Sequence, residues 1–324
     1  MKYLNKIVTV AALMAVAQTV SAQPKWDFPT GYGVNTFHTQ NNQQFIDEIQ
    51  KAANGKIVMT LHPGGSLYKA NEIKRAVQTR QAQIGEFILS GASNENALFG
   101  VDAIPFLATS YADAKKLSMV ARPALEKVLS EQGMKLLYVV PWPPQGLYSE
   151  KPVQSVADLN GTKMRTYNPA TNRIAQLAKA QPTTIQLAEL SQALATGAVN
   201  NFLTSSASGV ETKLYEQVKY FYNVNAWLPK NAVVVSKKSF DGLDTATQAL
   251  VLKAAQAAEA RGWKVSEEKD AEYKKELVAK GMKVAAPSEQ LSTELNEIGK
   301  TMTAEWIKLA GPEGKQIIDA YQKK

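Results

Sequence analysis

Removal of a 22-residue leader from the 324-residue chain leaves 302 residues, about twice an ordinary domain, so two lobes with a cleft between them are expected. Hydrophobic residues make up 45% and charged residues 20%, which excludes disorder, collagen and coiled coil as descriptions of the whole. Without Lys2 and Lys6 of the leader, 35 basic residues face 29 acidic ones; the resulting +6 favours anionic ligands, and no dense Lys/Arg run interleaved with aromatics points to nucleic acid.

At the amino terminus, Met1 to Lys6 form a basic segment, Ile7 to Val16 an apolar one, and Val20-Ser21-Ala22 a cleavage site of the A-x-A kind. Residues 1–22 therefore read as a cleaved signal peptide of an exported, soluble protein. No later run of about 18 uncharged apolar residues could span a bilayer. The chain has no cysteine, which excludes a lipidated cysteine and a disulfide framework.

From residue 30 onward, short apolar runs alternate with helical patterns, the signature of βα units on a largely parallel sheet. Ile57 to Leu61 and Leu136 to Val140 read as strands buried on both faces. Phe45, Ile49 and Ala53 mark a helix ending at Asn54-Gly55, and Leu117 to Val128 mark a second one started by Ser110 and Asp113 and kinked or split by Pro123. Pro141-Trp142-Pro143-Pro144 is the expected first crossing between lobes, because consecutive prolines stiffen an extended segment. Beyond it lie a strand within 161–168, helices at 170–179 and 187–196, a strand at 198–202, and the buried strand Ala232 to Val235 returning to the first lobe. Asp244 to Gly281 is helical for about 36 residues, roughly 54 Å, as two helices broken at Gly262 or as one helix lying across both lobes. A last helix from Ser288 to Leu309 closes at Gly311-Pro312.

Catalytic equipment is thin: His38 and His62 are the two histidines, and neither has a metal-ligand partner one helical turn away. Gly31-Tyr32-Gly33 lacks the third glycine of a dinucleotide fingerprint, and Gly64-Gly65-Ser66 lacks the glycine-lysine ending of a phosphate loop. Both read as turns, so neither a cofactor nor a metal is expected.

The stretch Asp158-Leu159-Asn160-Gly161-Thr162-Lys163-Met164-Arg165 resembles the D-L-x-G-x-K-x-R strand of solute receptors of tripartite ATP-independent periplasmic (TRAP) transporters. Ala52 to Leu67, Asp102 to Phe106 and Leu194 to Val199 resemble further segments of that family, in the same order. The resemblance implies an α/β fold of two lobes, 23–142 with 230–270 and 143–229 with 271–324, bridged by one long helix. It also implies a periplasmic receptor that hands a small organic acid to the small and large membrane subunits of a permease; a monomer is expected.

Residue by residue, Arg165 matches the arginine that clamps the ligand carboxylate, a role suited to its planar, permanently charged fork. Asn168 and Thr204 match polar contacts, although Asn200-Asn201 replaces the family's Asp-Gly. Gln145 stands where sugar-acid binders carry a second arginine. Phe37, Trp142, Tyr148, Tyr167, Phe202 and Trp227 are expected to border the cleft, with His38 and Glu86 facing it from the first lobe. One cation and several aromatics favour a monocarboxylate with an aromatic or apolar body over a sugar acid or C4 dicarboxylate. A periplasmic hydrolase is the alternative from another class.

Overall fold

Capped helices between short apolar strands build the first lobe from β1 (Lys25–Pro29), α1 (Phe37–Ala53), β2 (Val58–His62), α2 (Ile73–Gln78), β3 (Ile84–Ile88), α3 (Tyr111–Glu131) and β4 (Met134–Pro141). The computed structural model describes residues 23–323, and the expected signal peptide lies outside them. The second lobe follows as β5 (Gln145–Ser149), β6 (Lys163–Thr166), α4 (Pro169–Leu177), β7 (Gln181–Thr184), α5 (Leu187–Ala195), β8 (Asn201–Ser205), α6 (Ser206–Glu211) and β9 (Tyr220–Tyr222). The chain then returns through β10 (Lys230–Ser236) and α7 (Lys237–Asp241), and ends with α8 (Thr245–Ala279), β11 (Lys283–Ala285) and α9 (Glu289–Gln322).

The sheets are mixed rather than largely parallel, and the crossings explain why. In the second lobe the order is β11-β9-β5-β8-β6-β7, and β5 runs antiparallel to both its neighbours. In the first, β10 is antiparallel to both β3 and β4. Each of these strands arrives from the opposite lobe and so enters its sheet from the end opposite to strands delivered by local βα units. The two crossings also pair with each other: Trp142 N donates to Pro229 O at 2.8 Å, and Gln145 N to Trp227 O at 2.8 Å.

α8 is one helix of 35 residues, about 52 Å, started by Asp244, whose carboxylate accepts from Thr247 N at 2.9 Å. Gly262 does not break it. A β-carbon there would lie 2.4 Å from Val140, so glycine lets the helix axis approach β4. Arg261 holds Asn41 and Glu48 of α1, while Ser206 of α6 donates to Asp270 at 2.7 Å; the helix is thus fastened to both lobes.

Three further expectations change. β2 is an edge strand with Thr60 exposed, since only β1 pairs with it. α3 runs unbroken through Pro123, because Leu117, Ala121, Leu125 and Leu129 anchor it on the core on both sides of the missing hydrogen bond. The last helix does not stop at Leu309: it kinks at Gly311, φ 63°, and resumes to Gln322. Its first part packs Leu291, Leu295 and Met302 into the second lobe's core, and Trp306, Ile317 and Ile318 enter the first lobe's. No helix among the described residues is long and apolar enough to cross a membrane.

Candidate functional site

The lobes meet around an inner chamber of about 40 Å³ that adjoins an outer cleft of about 570 Å³. Arg165, on β6, is the only charged side chain lining the chamber among the described residues, and it is 3% exposed. Its Nε donates to Ile185 O at 2.8 Å, and the guanidinium lies 4.8 Å from the ring centre of Tyr167. No carboxylate among the described residues pairs with it. Burial pulls its pKa down to about 10, while Tyr167 and Tyr32 supply only a partial counterweight. A buried fork with two unpaired terminal nitrogens and no internal anion is a place for an external one.

Other walls of the chamber are neutral. From the second lobe come Tyr167, Gln145, Thr204 and Ser208, and from the first Tyr32, Ile88 and Trp142. Tyr167 OH donates to Gln145 Oε1 at 3.2 Å, and Gln145 Nε2 donates to Pro143 O at 3.2 Å, so that amide is tied at both ends. Thr204 keeps its hydroxyl without a hydrogen bond among the described residues. Behind Tyr32 and Trp142, Asn231 Oδ1 accepts from both, at 3.1 and 3.0 Å, and its Nδ2 donates to Glu86 Oε1 at 3.0 Å. Thr30 donates to the other Glu86 oxygen at 2.5 Å. Burial pushes the Glu86 carboxyl upward, but His38, Thr30 and Asn231 outweigh it and keep it below the usual range.

The sequence-predicted residues therefore separate by place. Arg165, Gln145, Tyr167, Thr204 and Trp142 come together in the chamber. Glu86 and Asn168 border the outer cleft, with Asn168 already engaged: it caps α4 through Thr171 N at 2.7 Å and donates to Ser90 Oγ across the lobes at 2.8 Å. His38 and Phe37 line neither space and pack behind Trp142, with the His38 ring 4.2 Å from that of Trp142. Burial lowers the His38 pKa. Trp227 lies in the second lobe's core, as do Tyr148 and Phe202, which stack at 5.0 Å. Sequence reasoning missed Tyr32, Asn231 and Gln186; the turn Gly31-Tyr32-Gly33 is a visible signal for Tyr32 alone. Among the described residues no three His, Asp or Glu side chains are grouped to hold a metal.

A second contact between lobes is titratable. Glu211, at the end of α6, accepts through Oε1 from Phe37 N at 3.0 Å and Tyr273 OH at 2.7 Å, while Oε2 is enclosed without a partner among the described residues. Burial pushes this carboxyl up to about 7, with Tyr273, Phe37 N and Lys269 opposing. A raised carboxyl favours the joined lobes when protonated, so that contribution is full below the ordinary value, about 4.5, and lost as pH rises through 7. Ligand affinity is expected to fall between about pH 5 and pH 7.5, and Glu211→Gln to flatten that profile; calorimetry across this range checks it.

The profile of the DctP family, described as bacterial extracellular solute-binding protein family 7, matches residues 32–309. The chain belongs to this family. An extracytoplasmic solute receptor of Bordetella pertussis described as binding pyroglutamic acid is 49% identical to it, superposes with a TM-score of 0.91, and is matched over 93% of this chain and 100% of the other. A marine metagenome TRAP solute-binding protein described as specific for pyroglutamate is 42% identical, with a TM-score of 0.91 and coverage of 93% and 99%. Among curated relatives, a solute-binding protein of Albidiferax ferrireducens is 28% identical over 243 residues, 72% of this chain and 71% of its own. The fold is that of two-lobed TRAP solute receptors, with α8 as the long helix. This TRAP receptor thus presents an unpaired buried cation in the cleft between lobes.

Proposed function

We propose that this receptor captures pyroglutamate, a compact five-membered lactam carrying one carboxylate. The observation that carries the reading is Arg165, buried without an anion, in a chamber whose described lining holds neither a second cation nor a carboxylate. A ligand charge of −1 neutralises that fork. The receptors from Bordetella pertussis and the marine metagenome support the assignment of the ring. An aryl body is a poorer fit, because Phe37, Tyr148, Phe202 and Trp227 belong to packed cores and the chamber is small. Sugar acids and dicarboxylates need further polar or cationic groups that Gln145 does not supply. The acid is bound unchanged in the periplasm by a monomer and passed to the small and large permease subunits, with Arg165, Gln145, Tyr167, Thr204 and Trp142 forming the contact set.

The same charge arithmetic excludes close analogues. Proline and glutamate bring an ammonium group that would be buried with no carboxylate to meet it, and a site with mismatched polar groups rejects such analogues strongly, by about 10⁴-fold where hydrogen bonds are lost. Calorimetry is expected to show pyroglutamate preferred over L-proline and L-glutamate by at least about a hundredfold. Tightest binding to succinate, a hexuronate or phenylpyruvate on the same preparation would overturn the proposal.

A further inference from the structure

Several carboxamides surround the ligand space, and most are committed. Gln145 is tied to Tyr167 and Pro143, Asn168 to Thr171 and Ser90, and Asn231 to Tyr32, Trp142 and Glu86. Gln186 differs. It lines both the inner chamber and the outer cleft, is half-buried, and its side chain makes no hydrogen bond among the described residues. It occupies the N-cap position of α5 without using its side chain to cap, at a place where a short Ser, Thr, Asp or Asn would ordinarily do so. The backbone there is fixed. Ile185 N donates to Thr166 O at 3.0 Å, extending the β6–β7 pairing, and Ile185 O is the acceptor that holds Arg165 Nε. Gln186 is therefore the next residue along from the carbonyl that orients the carboxylate clamp.

A lactam carries its N–H and C=O on one edge, side by side, because the ring forces the amide to be cis. A primary carboxamide presents one donor and one acceptor in the same spacing, so the two can pair through two hydrogen bonds, as Gln pairs with an adenine edge. We propose that Gln186 is a specificity-determining residue that reads the lactam edge of the ligand while Arg165 holds its carboxylate. This rests on the pyroglutamate reading above and adds the ligand class it implies: compact carboxylates with a cis amide next to the acid-bearing carbon.

The test uses the mature protein and three probes: L-pyroglutamate, its lactone analogue with ring oxygen in place of N–H, and cyclopentanecarboxylate, which has the ring and acid but no amide edge. Wild type is expected to prefer the lactam over the lactone by tenfold or more. Gln186→Leu should lose thirtyfold or more on pyroglutamate and threefold or less on cyclopentanecarboxylate, and Gln186→Glu, which replaces the donor and sets an anion near Arg165, should lose more. Thermal melts confirm that each variant folds. Unchanged pyroglutamate affinity in Gln186→Leu, or an equal loss on all three probes, overturns the role of Gln186 and leaves the ligand assignment standing. Failure of wild type to bind pyroglutamate overturns both.

Discussion

Replacing Arg165 with methionine is expected to abolish ligand capture while raising the stability of the ligand-free protein. The two effects have one cause. Burial draws the guanidinium down to about 10, and a base whose folded pKa lies below its unfolded value destabilises the fold at every pH below that value, the penalty fading only as pH rises past 10. Relief of this penalty in Arg165→Met is worth up to about 3 kcal/mol, at about 1.4 kcal/mol for each tenfold loss of proton affinity. Ligand binding loses the charge pair, at least about a hundredfold in affinity, because a buried charge left without its partner costs about 2–5 kcal/mol or more. Arg165→Lys keeps the charge but not the fork, and should weaken binding by more than about tenfold. Calorimetry and thermal melts on the three proteins check both halves; unchanged affinity in Arg165→Lys would remove Arg165 from the site.

The largest stability effect is expected at the hinge. Lys230 begins β10 where the chain re-enters the first lobe, its Nζ 3.4 Å from Asp102 Oδ2 and its backbone N donating to the same oxygen at 2.7 Å; the two side chains are 2% and 1% exposed. Burial pushes Asp102 up and Lys230 down, each toward its neutral form. Lys230→Met strands the carboxylate and should cost about 3–5 kcal/mol at about pH 8, as removal of one member of a buried pair does. At a lower pH the loss should be smaller, since burial raises the Asp102 pKa and the carboxyl, once protonated, needs no cation. Lys230→Met with Asp102→Asn should recover most of the loss, because the amide oxygen can still accept from the backbone N–H of residue 230. Urea unfolding at the two pH values measures both proteins.

Much of the fold was legible because its signals are local. Asp244 at one end and Gly281 at the other bound a helical pattern, and the run Ala232 to Val235 announced a buried strand. What sequence could not choose between, one helix or two at Gly262, depended on Val140, which is far away in the chain. Arg165 was legible through its motif. The aromatics were not, for a geometric reason. Tyr148 pairs with Phe202, and Phe202 with Arg165, so all three share a face, as Thr204 does two residues along β8. Alternation gives the face and not the depth: Arg165 and Thr204 stand near the carboxyl ends of their strands, where the chamber opens, and Tyr148 and Phe202 lie beneath them in the core. Gln186 escaped notice because what distinguishes it is the lack of a partner, a property that exists only in three dimensions.

The kinked last helix alters how such a receptor can open. With α8 fastened to both lobes, and α9 rooted in one core through Met302 and in the other from Trp306 onward, the lobes are tied by two helices as well as two strands. Sliding or free swivelling would tear apolar side chains out of both cores, whereas bending about the paired crossings leaves them seated. The opening angle is therefore bounded by a strap. Pulling on one lobe alone would carry the other along with it, so any opening has to bend the strap itself.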